Sequence, residues 1–203
     1  MKKVLFSLPS ESLATKWASS FVKRYVVWKN LLIDRQYLGG VLARRSLFKF
    51  RAPRSDVVIG VGHGSENELM GHGELIWKTG AYEGNEVKGK KIKLLACLTA
   101  KSLGEDLIEQ GAVSFQGYSE DFVAFLDVMT FLYPFKDRVA TPFFMPPCES
   151  MNALVKGKSN EEAYQIEYDM FMKNAKAVES EDPEMSFLLK HNAEALVHLE
   201  APK

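Results

Sequence analysis

Val57-Val58-Ile59-Gly60-Val61-Gly62-His63-Gly64 and Lys93-Leu94-Leu95-Ala96-Cys97-Leu98-Thr99-Ala100 decide how this chain is read. Both are nearly unbroken apolar runs, as expected of parallel strands covered on both faces; a half-buried strand would alternate. Each run ends at a residue that can do chemistry, His63 in the first and Cys97 in the second. In an open parallel α/β sheet, the loops past the carboxyl ends of neighbouring strands face one crevice. A histidine and a cysteine meeting there form a base and a nucleophile.

Working outward, Lys2 to Ser7 reads as a first strand and Pro9-Ser10-Glu11 as a helix start with Ser10 as cap. That helix is expected to reach about Asn30, with Leu13, Trp17, Phe21, Tyr25 and Trp28 on its buried stripe. A turn at Gly39-Gly40 and a short strand over Leu47 to Phe50 follow. Ser65 to Gly89 reads as loops with a hairpin at Glu74 to Trp77. Leu98 to Gln110 is a helix stopped by Gly111, and Ala112 to Gln116 another strand. Phe122 to Phe135 fits helix or strand equally. Pro142 to Pro147 is too rich in proline for a long regular element. Helices are expected over Glu149 to Lys156, over Asn160 to Val178 behind a Ser159/Glu162 capping box, and from Pro183 to about Leu199. Strands and helices alternating first, helices last, predict a mainly parallel sheet with helices on both faces and a helical C-terminal section. The division is a core of residues 1–148 and a helical section of 149–203 packed on it as one domain.

Composition narrows the function classes. Basic and acidic residues balance at 26 each, so the basic excess of a nucleic-acid binder is missing and no nucleic-acid partner is expected. The local basic run through Lys23-Arg24, Arg44-Arg45, Lys49, Arg51 and Arg54 hints at an acidic partner, although a solvated face explains it as well. Met1-Lys2-Lys3 followed by Val4-Leu5-Phe6 imitates a leader, but Ser7, Pro9, Ser10 and Glu11 break the apolar stretch early. No run of about 18 apolar residues occurs, so no membrane partner is expected. Cys97 and Cys148 are too few for a disulfide scaffold, which favours a reducing, cytoplasmic setting.

Cys97, at a strand end entering a helix, would have its thiolate favoured by the helix N-terminus and by an imidazole. His63 is set among Gly60, Gly62 and Gly64, which let the backbone turn sharply and approach a ligand. The amides of Gly64 and Cys97 would form an oxyanion hole. His63, His72 and Cys97 as zinc ligands are a distant alternative, because no metal-ligand spacing supports them and no metal or organic cofactor is needed.

An apolar strand ending in His-Gly, then one ending in Ala-Cys, resembles the signature of the caspase-like cysteine peptidases, which include caspases, legumains, gingipains and clostripain. Gly111-Ala112 with Val113 to Tyr118, and Ala153 to Ser159 with Glu162-Ala163, are similar to later stretches of that group. The resemblance, to a compact bacterial or archaeal type of member, covers roughly residues 1 to 175. It implies a caspase-like fold and a cysteine endopeptidase acting on protein or peptide, with Cys97 as nucleophile, His63 as acid–base and Gly64 in the oxyanion hole. Leu95 stands where caspases carry a glutamine, so their reading of aspartate is not implied. Glu120 and Asp121 lie in the region that borders the family's specificity pocket, which implies cleavage after a basic residue. The altered residues Leu98-Thr99-Ala100 favour the rival reading, an inactive interaction module on the same fold.

Overall fold

The structure, a computed structural model, describes residues 2–30, 32–83 and 85–202. Lys3–Leu8 (β1), Asp34–Gly39 (β2) and Val57–Val61 (β3) come first. Glu68–Met70 (β4) and Leu75–Lys78 (β5) pair as a separate hairpin. Lys91–Leu95 (β6), Ser114–Tyr118 (β7) and Leu196–Glu200 (β8) complete the main sheet. Its order is β2-β1-β3-β6-β7-β8, parallel throughout except for the β7/β8 pair. The protein is therefore an α/β fold with a mostly parallel sheet.

Alternation along each strand sends successive side chains to opposite layers. Val4, Phe6, Ile59, Leu95 and Tyr118 face one layer, built on Leu13–Val22 (α1), Thr141–Val155 (α4), Asn160–Val178 (α5) and Pro183–Ala195 (α6). Leu5, Val58, Ile92, Leu94 and Phe115 face the other, built on Arg45–Arg51 (α2), Ser102–Glu109 (α3) and the β4–β5 hairpin. Val57–Val61 reads as a continuous apolar run because both of its faces are covered. Lys93 in β6 is fully buried, and Glu167 of α5 pairs with it at 2.8 Å. Gln116 and Tyr118 of β7 donate to the same carboxylate, so its lone pairs are filled.

Several expectations are corrected. Ser12, not Ser10, caps α1, in a reciprocal arrangement with Thr15. α1 ends at Val22 and the chain continues as a π-helical turn over Lys23–Val27, closed by Trp28 N–H donating to the Lys23 carbonyl at 3.1 Å. The wider turn shifts the phase of the stripe: Trp17 and Phe21 are buried while Trp28 points outward. Leu47 to Phe50 lies in α2, where buried Phe48 meets Trp77 edge to face at 4.9 Å. Asp34–Gly39 carries no visible sequence signal for β2, an edge strand whose buried positions are Gln36 and Leu38.

Phe122 to Phe135 is neither helix nor strand but an extended segment with short 3-10 turns at Val128–Thr130 and Pro134–Lys136. Buried Asp137 holds it: one carboxylate oxygen accepts from Trp17 Nε1 and the Asp127 amide, both at 2.7 Å, and the other from the Val139 and Ala140 amides, both at 2.9 Å. The proline-rich stretch is helical after all, as the start of α4. Pro142 sits in the first turn, where no amide is needed. Pro146, inside the helix, deprives the Pro142 carbonyl of its partner, and Asn174 Nδ2 of α5 donates to that oxygen instead at 2.9 Å. The last helix stops at Ala195, and Leu196–Glu200 turns into β8 beside β7. The expected boundary at residue 148 falls inside α4, and the C-terminal section supplies a strand to the core sheet as well as helices. Among the described residues, no helix is long and apolar enough to cross a membrane.

Candidate functional site

Strand order reverses at β1, whose neighbours are β2 on one side and β3 on the other. A crevice outside the carboxyl ends of the strands is expected at such a point. The chain following β1, β3, β6 and β7, four adjacent strands, lines one crevice of about 330 Å³. Thr15 lies on it from the start of α1, His63 follows β3, Cys97 follows β6, and Phe122 follows β7. The register Val61↔Leu95 sets His63 and Cys97 each two residues past a paired position.

The two loops touch. A Cβ on Gly64 would lie 2.2 Å from the Cys97 carbonyl oxygen, 2.8 Å from Thr99 Cγ2 and 3.1 Å from Ala96 Cβ. Only a residue without a side chain allows this approach. Gly64 also bridges to Leu69 of the hairpin, through the amides of Ser65 and Met70. That pattern leaves the Gly64 N–H unused. Among the described residues neither it nor the Cys97 N–H donates to another residue's carbonyl. The Cys97 amide lies against its own sulfur, and the Gly64 amide follows His63 at the loop that borders the crevice.

His63 is exposed, and its Nε2 is 2.9 Å from Ser12 Oγ. Ser12 Oγ accepts from the Thr15 amide at 3.2 Å and also lies 3.0 Å from Thr15 Oγ1. Among the described residues no hydrogen bond joins His63 to Cys97. The helix after Cys97 begins only at Ser102, behind a turn in which Leu98 has φ +61. The sulfur is therefore not at a helix N-terminus as the sequence suggested. Burial pushes the Cys97 thiol up; the Phe122 amide draws it back, and the Asp121 carboxylate raises it again. Cys148 is fully buried in α4, and burial pushes its thiol well up. Both cysteines are free.

Glu120 and Asp121 follow β7. Glu120 is exposed, its carboxylate 3.7 Å from Lys101 Nζ, and its carbonyl accepts from the Leu98 amide at 3.2 Å. The Asp121 carbonyl is 2.9 Å from His191 Nε2. The crevice wall itself is apolar, formed by Val61, Leu95, Phe122, Val123, Ala124 and Leu126. Asn192 of α6 fixes that wall, donating to the Val123 carbonyl at 2.8 Å and accepting from its amide at 3.0 Å. Ser12 and Asn192 escaped sequence reasoning. The Ser12-x-x-Thr15 spacing was a usable signal for the first; nothing local announces the second.

His72 lies in the hairpin turn, its Nδ1 buried without a partner among the described residues. No group of three His, Cys, Asp or Glu side chains placed to hold a metal occurs among the described residues. Compared with models of known protein families and with curated protein sequences, the chain matches none.

Proposed function

We propose that the chain is a caspase-like cysteine endopeptidase working in a reducing, cytoplasmic setting. The observation that carries the reading is the direct packing of Gly64 on the Cys97 carbonyl, which holds the histidine and cysteine loops at one crevice. His63 would leave Ser12 and take the Cys97 proton as the sulfur adds to the scissile carbonyl carbon. The Gly64 and Cys97 amides would receive the oxyanion. His63 would return the proton to the departing amine, leaving a thioester. Water, deprotonated by His63, would then release the acid and the thiol. Asp121 beside the sulfur would favour a basic substrate side chain before the cleaved bond; the apolar wall would receive its neighbours.

A second reading, a non-catalytic module on the same fold, is favoured by one observation: His63 is engaged with Ser12 and, among the described residues, makes no hydrogen bond to Cys97, whose thiol burial pushes up. A panel of fluorogenic peptides varying the residue before the cleaved bond separates the two. The peptidase reading requires turnover that disappears in Cys97→Ala and His63→Ala. Absence of turnover across the panel in a folded wild type supports the module, and turnover unaffected by Asp121→Asn removes the basic preference.

A further inference from the structure

Away from the crevice, the outward face of α1 and its π-helical turn meets the 128–136 segment and β2. Three shallow grooves converge there on Lys23, one bordered by Trp28, Arg35 and Tyr37, one by Lys16 and Leu132, one by Arg24 and Phe135. The segment from Val128 to Tyr133 carries large apolar side chains into solvent: Met129 is 89% exposed and Leu132 81%. Tyr133 and Trp28 are more than half exposed. A large apolar patch on a soluble surface marks something that covers it.

The charges around the patch say what. Lys16 stands over the Phe131 ring, Lys136 over Tyr133 at 4.8 Å and Arg24 over Phe135 at 5.6 Å. Among the described residues, Lys16, Lys23, Arg24, Arg35 and Lys136 make no ion pair. The five lie around one patch and give this face a local positive charge. Aliphatic tips, interfacial tyrosine and tryptophan, and unneutralised cations set on rings are the side-chain set of a segment that lies in a bilayer interface. Nucleic acid would use the rings and cations but give Met129 and Leu132 no stacking role.

We infer that this face docks on an anionic lipid bilayer, with Met129, Leu132 and Tyr133 entering the headgroup boundary and the five cations facing lipid phosphates and carboxylates. Such docking needs no spanning segment, so it replaces the expectation, drawn from the absence of one, that no membrane is a partner. It does not depend on the peptidase reading.

The test is flotation of the full chain with phosphatidylcholine vesicles, with and without phosphatidylserine. Binding should be at least about tenfold tighter on the anionic vesicles and weaken as salt is raised. Met129→Asp/Leu132→Asp, at exposed positions that leave the fold intact by circular dichroism, should lower binding about tenfold or more. Lys23→Glu/Lys136→Glu should abolish the preference for anionic lipid. Equal binding to both vesicle types, no binding, or binding unaltered by either variant overturns the proposal. So does binding of a single-stranded oligonucleotide in place of vesicles, or concentration-dependent self-association that the apolar variant abolishes.

Discussion

Replacing Gly64 by alanine attacks the contact on which the candidate site rests. The new Cβ would stand 2.2 Å from the Cys97 carbonyl oxygen, and ordinary contact begins at 3.4 Å. The obstacle is backbone, with Ala96 and Thr99 behind it, so no flexible side chain can swing away. The two loops must part by about 1.2 Å, the difference of those distances. Overpacking of this kind costs about 1–3 kcal/mol. For a chain of this size that lowers the melting temperature by roughly 2–4 °C per kcal/mol. A displacement of about 1 Å between catalytic groups costs on the order of a hundredfold in rate. Gly64→Ala should therefore melt several degrees low yet fold, and lose peptide turnover far beyond what its stability loss explains. Calorimetry and the fluorogenic panel measure both. A Gly64→Ala protein with unchanged melting and undiminished turnover would refute the claim that loop contact organises the site.

Other consequences are equally open to measurement. Glu167→Ala leaves Lys93 buried without its counter-ion and should cost about 3–5 kcal/mol in denaturant unfolding; Lys93→Met/Glu167→Leu should recover much of it, and equal losses in single and double variants would show that the pair is not coupled. Asn174→Ala should cost about 1 kcal/mol in wild type and much less in Pro146→Ala, where a restored amide satisfies the Pro142 carbonyl; equal costs in both backgrounds would disprove the substitution of partners. Burial raises both thiols above their unfolded values, so each holds its proton more tightly when folded. Stability should be flat below the ordinary thiol range and fall as pH rises past about 8.5, with Cys148→Ala flattening part of the decline. Partly exposed Cys97 should alkylate before Cys148, and Asp121→Asn should speed the Cys97 reaction; a slower reaction would remove Asp121 from the sulfur's surroundings.

What the sequence made legible follows from what is local. Val57–Val61 and Lys91–Leu95 announce themselves because strands covered on both faces are mostly apolar, Lys91 and Lys93 excepted. α5 is read to the residue because Ser159 and Glu162 mark its start in the sequence itself. The crevice shared by His63 and Cys97 follows from strand order alone. What escaped is set by distant partners. The proline-containing start of α4 depends on Asn174, some thirty residues on. The irregular path of 122–135 depends on Asp137 and Asn192. The direction of the Cys97 shift depends on burial and on Asp121, which no periodicity displays.

The central claim is that His63 and Cys97 act together on a peptide carbonyl in one crevice. Its most direct test is labelling of the folded protein with a peptidyl chloromethyl ketone, followed by intact mass and peptide mapping. The account predicts one adduct, on the Cys97 sulfur, absent in Cys97→Ala and formed far more slowly in His63→Ala. An adduct that forms at the same rate without His63, or a folded Cys97 that resists the reagent and reacts only after denaturation, would contradict it.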